Sequence, residues 1–518
     1  MNIDHVNKND FFTGQQATVA QNQTTSASAI SATTQSQIHT LAPSVLANSS
    51  TQQVQNYSSL ATSHSIATST QSDDEKVERV FFQSPLDTPL LEEKVQDAQK
   101  QNDLGACFQR GLGVKKDLVE AVKLYTSAAN QGDATAQYNL GVCYKEGHGV
   151  DRNLDEAFRL FTLSAKQGLA AAQCALGICY AKGEGTHVNI AEAIRLYTLS
   201  ANQGYARAQC QLGDCYAFGR GVNKNLDEAV RLFTAAANQG FALGQFVLGV
   251  CYANGKGVKK DHAEARWLYR LSANQGYAVA QCELAHYYSK GDEISKNLDE
   301  AIRLYTLSAK QGYTPAQCAL GRHYAIGDGV KKDLDEAVKW YRLAAKQKFA
   351  LGQYLLGDCY QNGQGVIKDL DEAFSLYSQA AAKDLSLAQC ELASCYKNGW
   401  GVEKNLAMAA RLYRLAADQG EARAQCALGF CYANGAGVVK NCEEAVRLYK
   451  LAAKQGFVPA ITNLGICYEN GWGVPQDLEE AARLYTIAAQ QGHDRARALL
   501  THVNNVINAI QNQMAVQN

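Results

Sequence analysis

The chain has 518 residues, 49 Lys+Arg against 50 Asp+Glu, and a formal net charge of −1. So even a balance creates no global field for nucleic acid or an anionic membrane. No apolar run reaches the ~18 residues that a membrane-spanning helix needs. The opening MNIDHVNKNDFF lacks the basic-then-apolar pattern of a signal peptide. Asn2 is not the glycine that myristoylation requires, and the closing AVQN is no prenylation box. The expected location is cytoplasmic, or exported without a cleavable signal peptide.

Residues 1–87 read as a disordered Gln/Ser/Thr-rich tail. Within them, 11–72 contain no Asp, Glu, Lys or Arg, a composition that cannot bury enough apolar surface to offset chain entropy. Order is expected from Thr88-Pro89, a helix-start pair.

From Lys100 to Arg495 one 36-residue phrase recurs eleven times without insertion or deletion, starting at 100, 136, 172, 208, 244, 280, 316, 352, 388, 424 and 460. It reads A-Q-C-x-L-G-x-C-Y-x-x-G-x-G-V-x-x-D/N-L-D-E-A-x-R-L-Y-x-x-A-A-x-Q-G-x-x. Fixed self-similarity at this period predicts a stacked solenoid. In the copy from Ala172, an apolar stripe through Leu176, Cys179 and Tyr180 predicts a first helix, ended by Gly183 and Gly185. An Asp or Asn N-cap with Glu three residues on, as in Asn153/Glu156, predicts a capping box at the second helix. That pair recurs in ten of the eleven copies; Met408 follows Asn405 instead. Gln-Gly closes most second helices, as at Gly168. Glu156 and Arg159 are spaced as a solvated helix pair. Residues 496–512 keep an apolar rhythm through Leu499, Leu500, Val503 and Val506, predicting a helix that caps the stack, with 513–518 as a tail. The fold class is all-α, a right-handed α/α solenoid of eleven helix-turn-helix repeats.

Nine of the 16 cysteines occupy the eighth position of the phrase and six the third. At about 3.6 residues per turn those positions point away from one another, so they cannot bridge within a repeat. Equivalent cysteines in neighbouring repeats sit about 8–10 Å apart, too far for a disulfide. Reduced, core-packed thiols are expected.

No catalytic motif emerges. Gly-x-Gly-Val follows a helix rather than a strand, so it reads as a turn and not a phosphate loop. The ten histidines are scattered; His286 and His323 stand in adjacent copies without a third ligand, and no metal or other cofactor is expected. The tyrosine columns, with Tyr180 and Tyr216, read as core rather than as a nucleic-acid platform.

The carriers A-x-x-L-G-x-x-Y-x-x-G-x-G-V, D-x-x-E-A-x-x-L-Y and A-A-x-Q-G, as in Ala208 to Gly240, resemble the Sel-1-like repeats of the tetratricopeptide superfamily. The resemblance implies a non-enzymatic scaffold or adaptor that binds a peptide or protein partner. A host-directed effector of an intracellular bacterium, built on the same scaffold, is the second reading. A secreted, disulfide-rich, β-lactam-binding branch fits poorly, because its cysteine pairs join the two helices of a repeat.

By that resemblance the first helices line a concave groove. Positions four, seven and eleven of the phrase vary and share one helix face. They carry Asn139, Val142, Glu146; Gln211, Asp214, Phe218; Glu283, His286, Lys290; Arg322, Ile326; Leu355, Asp358, Asn362; and Phe430, Asn434. Phe218 and Phe430 are expected to be exposed anchors, with Trp400 and Trp472 at the groove edge. The copy at 280 departs most, with Gly-Asp-Glu-Ile-Ser-Lys in place of Gly-x-Gly-Val, and Lys348 stands where Gly usually closes a helix. Drift at exposed positions is the competing explanation for all this variation.

Overall fold

The computed structural model describes residues 97–291 and 296–517, apart from the side chains of 514–517. Among the described residues there are 23 helices and no strand. The expected tail, the Thr88-Pro89 start and Asp292–Ser295 of the aberrant turn lie outside them. The chain divides into two compact units, Met1–Leu248 and Gly249–Asn518.

One hairpin of the first unit shows how each copy of the phrase folds. Its first helix is Ala134–Glu146, with the Asp133 carboxylate accepting from the Ala136 N–H. Gly147 ends it at φ 74°, and the Gly147 N–H donates to the Cys143 carbonyl at 2.8 Å. The second helix, Leu154–Lys166, starts at Asn153, whose side-chain oxygen accepts from the Glu156 N–H at 3.0 Å. Within the hairpin, Gly141 faces the Phe161 ring so closely that a Cβ would lie 2.8 Å from it. The conserved spacing of Gly and aromatic thus sets the distance between the two helices.

The expected capping box is half right. The cap oxygen accepts from the third residue in all eleven second helices, Met408 included. The return bond from Glu is replaced. The cap's own N–H donates to the carbonyl of the aromatic at position nine, as Asn153 does to Tyr144 at 2.9 Å. With that donor already satisfied, Glu156 turns to Arg159 at 2.6 Å. This backbone tie between turn and first helix forms whichever residue stands at the Glu position; in this hairpin Arg152 Nε adds a bond to the Lys145 carbonyl at 3.0 Å.

In the second unit the same hairpins repeat from His262–Asn274 to Leu478–Gln490. The last helix, Asp494–Gln517, buries Ala496 and Val503 completely, and Val503 packs with Ala481 and Tyr485. It covers the final hairpin as expected. It also begins before Ala496 and runs past Asn512, so the expected 513–518 tail is helical through Gln517. All 16 cysteines are unbridged, and all but Cys107 and Cys442 are buried.

Candidate interaction site

The variable first-helix residues do not form one uniform surface. Position four is a seam between neighbouring first helices. Asn139 donates to the Asn102 side-chain oxygen of the preceding repeat at 2.9 Å. Asn463 reaches Cys426 Sγ at 3.6 Å in the same way. Gln211, Glu283 and Leu355 are half-buried there too. The reason is geometric: position four faces the neighbouring first helices, the preceding one for Asn139 and the following one for Glu391, so its side chain meets protein first. Asn139 and Leu355, expected as groove contacts, belong largely to the stack; Leu355 packs against the Leu356–Cys359 core.

Position seven is mixed. Val142 packs on the Phe161 core, and Asp214, His286, Arg322 and Asp358 are half-buried. Phe430 is 38% exposed, with the Lys397 ammonium of the preceding repeat 5.6 Å from its ring centre. At position eleven, Lys290, Ile326, Asn362 and Asn434 are exposed, while Glu146 and Phe218 are half-buried. Phe218 is therefore not the exposed anchor its position suggested: the Arg220 guanidinium lies over the ring at 5.0 Å. Asn434 donates to the Phe430 carbonyl, and Asn362 to the Asp358 carbonyl and carboxylate. Trp472 is 43% exposed; Trp400 is half-buried.

Three carboxylates on this face resist ionisation. Burial pushes Asp214 up to about 7, against the pull of Arg220. Burial raises Glu283 to about 7, opposed by Lys290. Asp358 rises to about 6 through burial and the repulsion of Glu391, offset by Arg423 and the Asn362 hydrogen bond. His323, in the cysteine column, is buried, with Nδ1 at 2.8 Å from the Asp328 carbonyl, and burial lowers its pKa. It is a packing residue.

Sequence reasoning missed three features. Gln at position two is buried and accepts from the Gln that closes the same hairpin, as Gln167 donates to Gln137 at 2.9 Å; Gln167 also donates to the Gly132 carbonyl of the preceding repeat. Its recurrence was visible, but its partner lies thirty residues away. Six second helices expose a leucine at one and the same position: Leu163 and Leu199 in the first unit, and Leu307, Leu343, Leu415 and Leu451 in the second. Finally, Val142 and Glu146 line a cavity of about 30 Å³ in the first unit together with Tyr138, Lys145, Tyr205 and Arg207.

Among the described residues there is no cluster of three His, Cys, Asp or Glu able to hold a metal ion, and no helix is long and apolar enough to cross a membrane.

Stacked helical hairpins with a varied first-helix face define an α-solenoid of the protein-interaction type. The Sel1 repeat model matches eleven contiguous segments, from 101–133 and 134–169 through to 458–493, and the chain belongs to the Sel1 repeat family. From the second segment on, the boundaries fall where each first helix begins, two residues before each copy of the phrase. Among solved structures, c5321, a protective antigen present in uropathogenic Escherichia coli strains with an SLR fold, is 32% identical. That match covers 83% of this chain and 93% of c5321, with a TM-score of 0.60. A Sel1 repeat protein from Oxalobacter formigenes is also 32% identical, covering 58% of this chain and 88% of its own, with a TM-score of 0.44. No curated protein matches the chain. Proteins of this family generally act as protein-interaction scaffolds.

Proposed function

We propose that this protein is a non-enzymatic scaffold that holds a peptide or protein segment along the exposed part of its first-helix face. The observation that carries the reading is the contrast on those helices. Their packing positions scarcely change, while position seven presents an open aromatic, Phe430, and two carboxylates, Asp214 and Asp358, that burial pushes up to about 7 and about 6. Perturbed carboxylates cost stability, and such groups concentrate at functional sites. The sixteen unbridged thiols support a reducing compartment over the disulfide-rich secreted branch. Similarity to c5321, a protective antigen, favours a second reading in which the same scaffold faces a host.

The test is crosslinking pull-down with the full chain and mass spectrometry, comparing wild type with Phe430→Ala and Phe218→Ala. Phe430→Ala should reduce partner capture severalfold at unchanged melting temperature. Phe218→Ala should have the smaller effect, because Arg220 already covers that ring. Unchanged capture by Phe430→Ala would remove the groove assignment. A translocation assay with and without residues 1–87 separates the host-facing role.

A further inference from the structure

The segment Ala206–Cys210 has the same sequence as Ala422–Cys426, six repeats later. Each carries an arginine next to its helix start, yet the two arginines have different surroundings. In the second unit, Arg423 Nη2 pairs with Glu391 Oε1 of the preceding repeat at 2.7 Å, and the Glu391 side chain is only 9% exposed. The Tyr354 hydroxyl lies in the same electrostatic cluster. In the first unit the residue equivalent to Tyr354 is Tyr138, and the one equivalent to Arg423 is Arg207. The residue equivalent to Glu391 is Ala175.

Alanine leaves both a charge and a volume unfilled. Among the described residues, no carboxylate pairs with Arg207; its neighbours are Tyr138, Tyr205, Tyr197 and Cys174. Ala175, Arg207, Tyr138 and Tyr205 instead line the cavity of about 30 Å³. That is room for roughly two water-sized groups, the size of a carboxylate head. Arginine cannot shed its proton, so this half-buried guanidinium without a counter-ion leaves a standing positive charge for a ligand to meet. The cavity wall also holds Lys145 and Glu146. Lys145 pairs with Glu184 at 2.7 Å, and Lys182 stands 3.9 Å from the same carboxylate. Lys145 is thus paired within the chain, whereas Arg207 has no carboxylate within ion-pairing distance among the described residues.

We propose that the Tyr138–Arg207 cavity binds a carboxylate presented by a partner peptide, which takes the place Glu391 occupies beside Arg423. The chain itself shows the chemistry that fits: in the one repeat pair where this arginine is satisfied, a carboxylate satisfies it. Two donors of the guanidinium suit a carboxylate's two oxygens. The site deepens the scaffold reading and rests on it.

The experiment is calorimetric titration of the full chain, at low salt, with three acetylated pentaalanine peptides. One has a free C-terminal carboxylate, one is its C-terminal amide, and one is the amide with a central glutamate. At least one carboxylate-bearing peptide should bind tenfold or more tightly than the plain amide. Which one does so separates a chain terminus from an acidic side chain. Arg207→Gln should abolish the preference. Ala175→Glu should abolish it as well, by installing the carboxylate within the chain, at an unchanged or higher melting temperature. If Ala175→Glu does not fold, Arg207→Gln decides. Equal binding of all three peptides, no binding of any, or a preference that survives Arg207→Gln would overturn the proposal. Pull-down by the Arg207→Gln chain keeps the two readings apart: partner capture without any peptide preference removes this cavity and leaves the scaffold.

Discussion

Gly149 sits against the backbone of Leu118 in the preceding repeat, so that a Cβ on Gly149 would lie 2.1 Å from the Leu118 carbonyl oxygen. The second glycine of the Gly-x-Gly turn is therefore a stacking contact as well as a turn residue. Gly168, which closes the second helix at φ 91°, has nothing within 4 Å of its Cβ direction. Gly149→Ala should cost about 3 kcal/mol or more, because overpacking against immovable backbone adds to left-handed strain. Gly168→Ala should cost only the strain, about 1–2 kcal/mol. Urea unfolding midpoints measure both, and equal losses would mean that the contact carries no weight.

Lys348 and Asp384 hold the same left-handed conformation without being glycine, each at φ 59°. Lys348→Gly should raise stability by about 1 kcal/mol, the left-handed penalty less glycine's extra unfolded-state entropy. The check is a rise in melting temperature; a fall would show that the Lys348 side chain makes a compensating contact.

Asp214 predicts a signed dependence on pH. The folded chain keeps this proton up to about pH 7, whereas an unfolded aspartate releases it near about pH 4. Between these values the folded state binds more protons, so stability falls as pH rises. The penalty is absent below about pH 4 and complete above about pH 7. Asp214→Asn should therefore melt higher than wild type at pH 8 and match it near pH 4. A gap that does not change with pH would refute the assignment.

Burial pushes the Cys143, Cys179 and Cys215 thiols up to about 11, and Cys174 to about 12. Thiolate, the reactive form, is therefore scarce at pH 8. A thiol reagent should label Cys107 and Cys442 in the native protein and spare the fourteen buried thiols until denaturant is added. Fast labelling of buried positions would reveal local opening of the hairpins.

Much of the fold was legible because its determinants are local. Gly147 and Asn153 mark where helices stop and start from within a few residues, and the period of the phrase supplies the stacking. The reciprocal capping box failed for a tertiary reason: the Asn153 N–H is taken by Tyr144, across the turn. The candidate face was legible only as a pattern of variation. Helical spacing gathered positions four, seven and eleven on one side of the helix. It did not show that Asn139 would be claimed by Asn102, or that Phe218 would lie under Arg220.

The sequence by itself determined that this chain is a Sel1 repeat solenoid, since each hairpin is built from contacts with itself and its neighbour. It also determined that the thiols belong to the core, because fifteen of them recur in two columns, and all of those but Cys107 are buried. Only the tertiary structure decided which variable residues are free and which are spent. Arg207 and Arg423 stand in identical pentapeptides, and their difference comes from position four of the preceding repeat, Ala175 in one case and Glu391 in the other. That position is distant in sequence and adjacent in space, so the charge left without a partner becomes visible only once the helices are stacked.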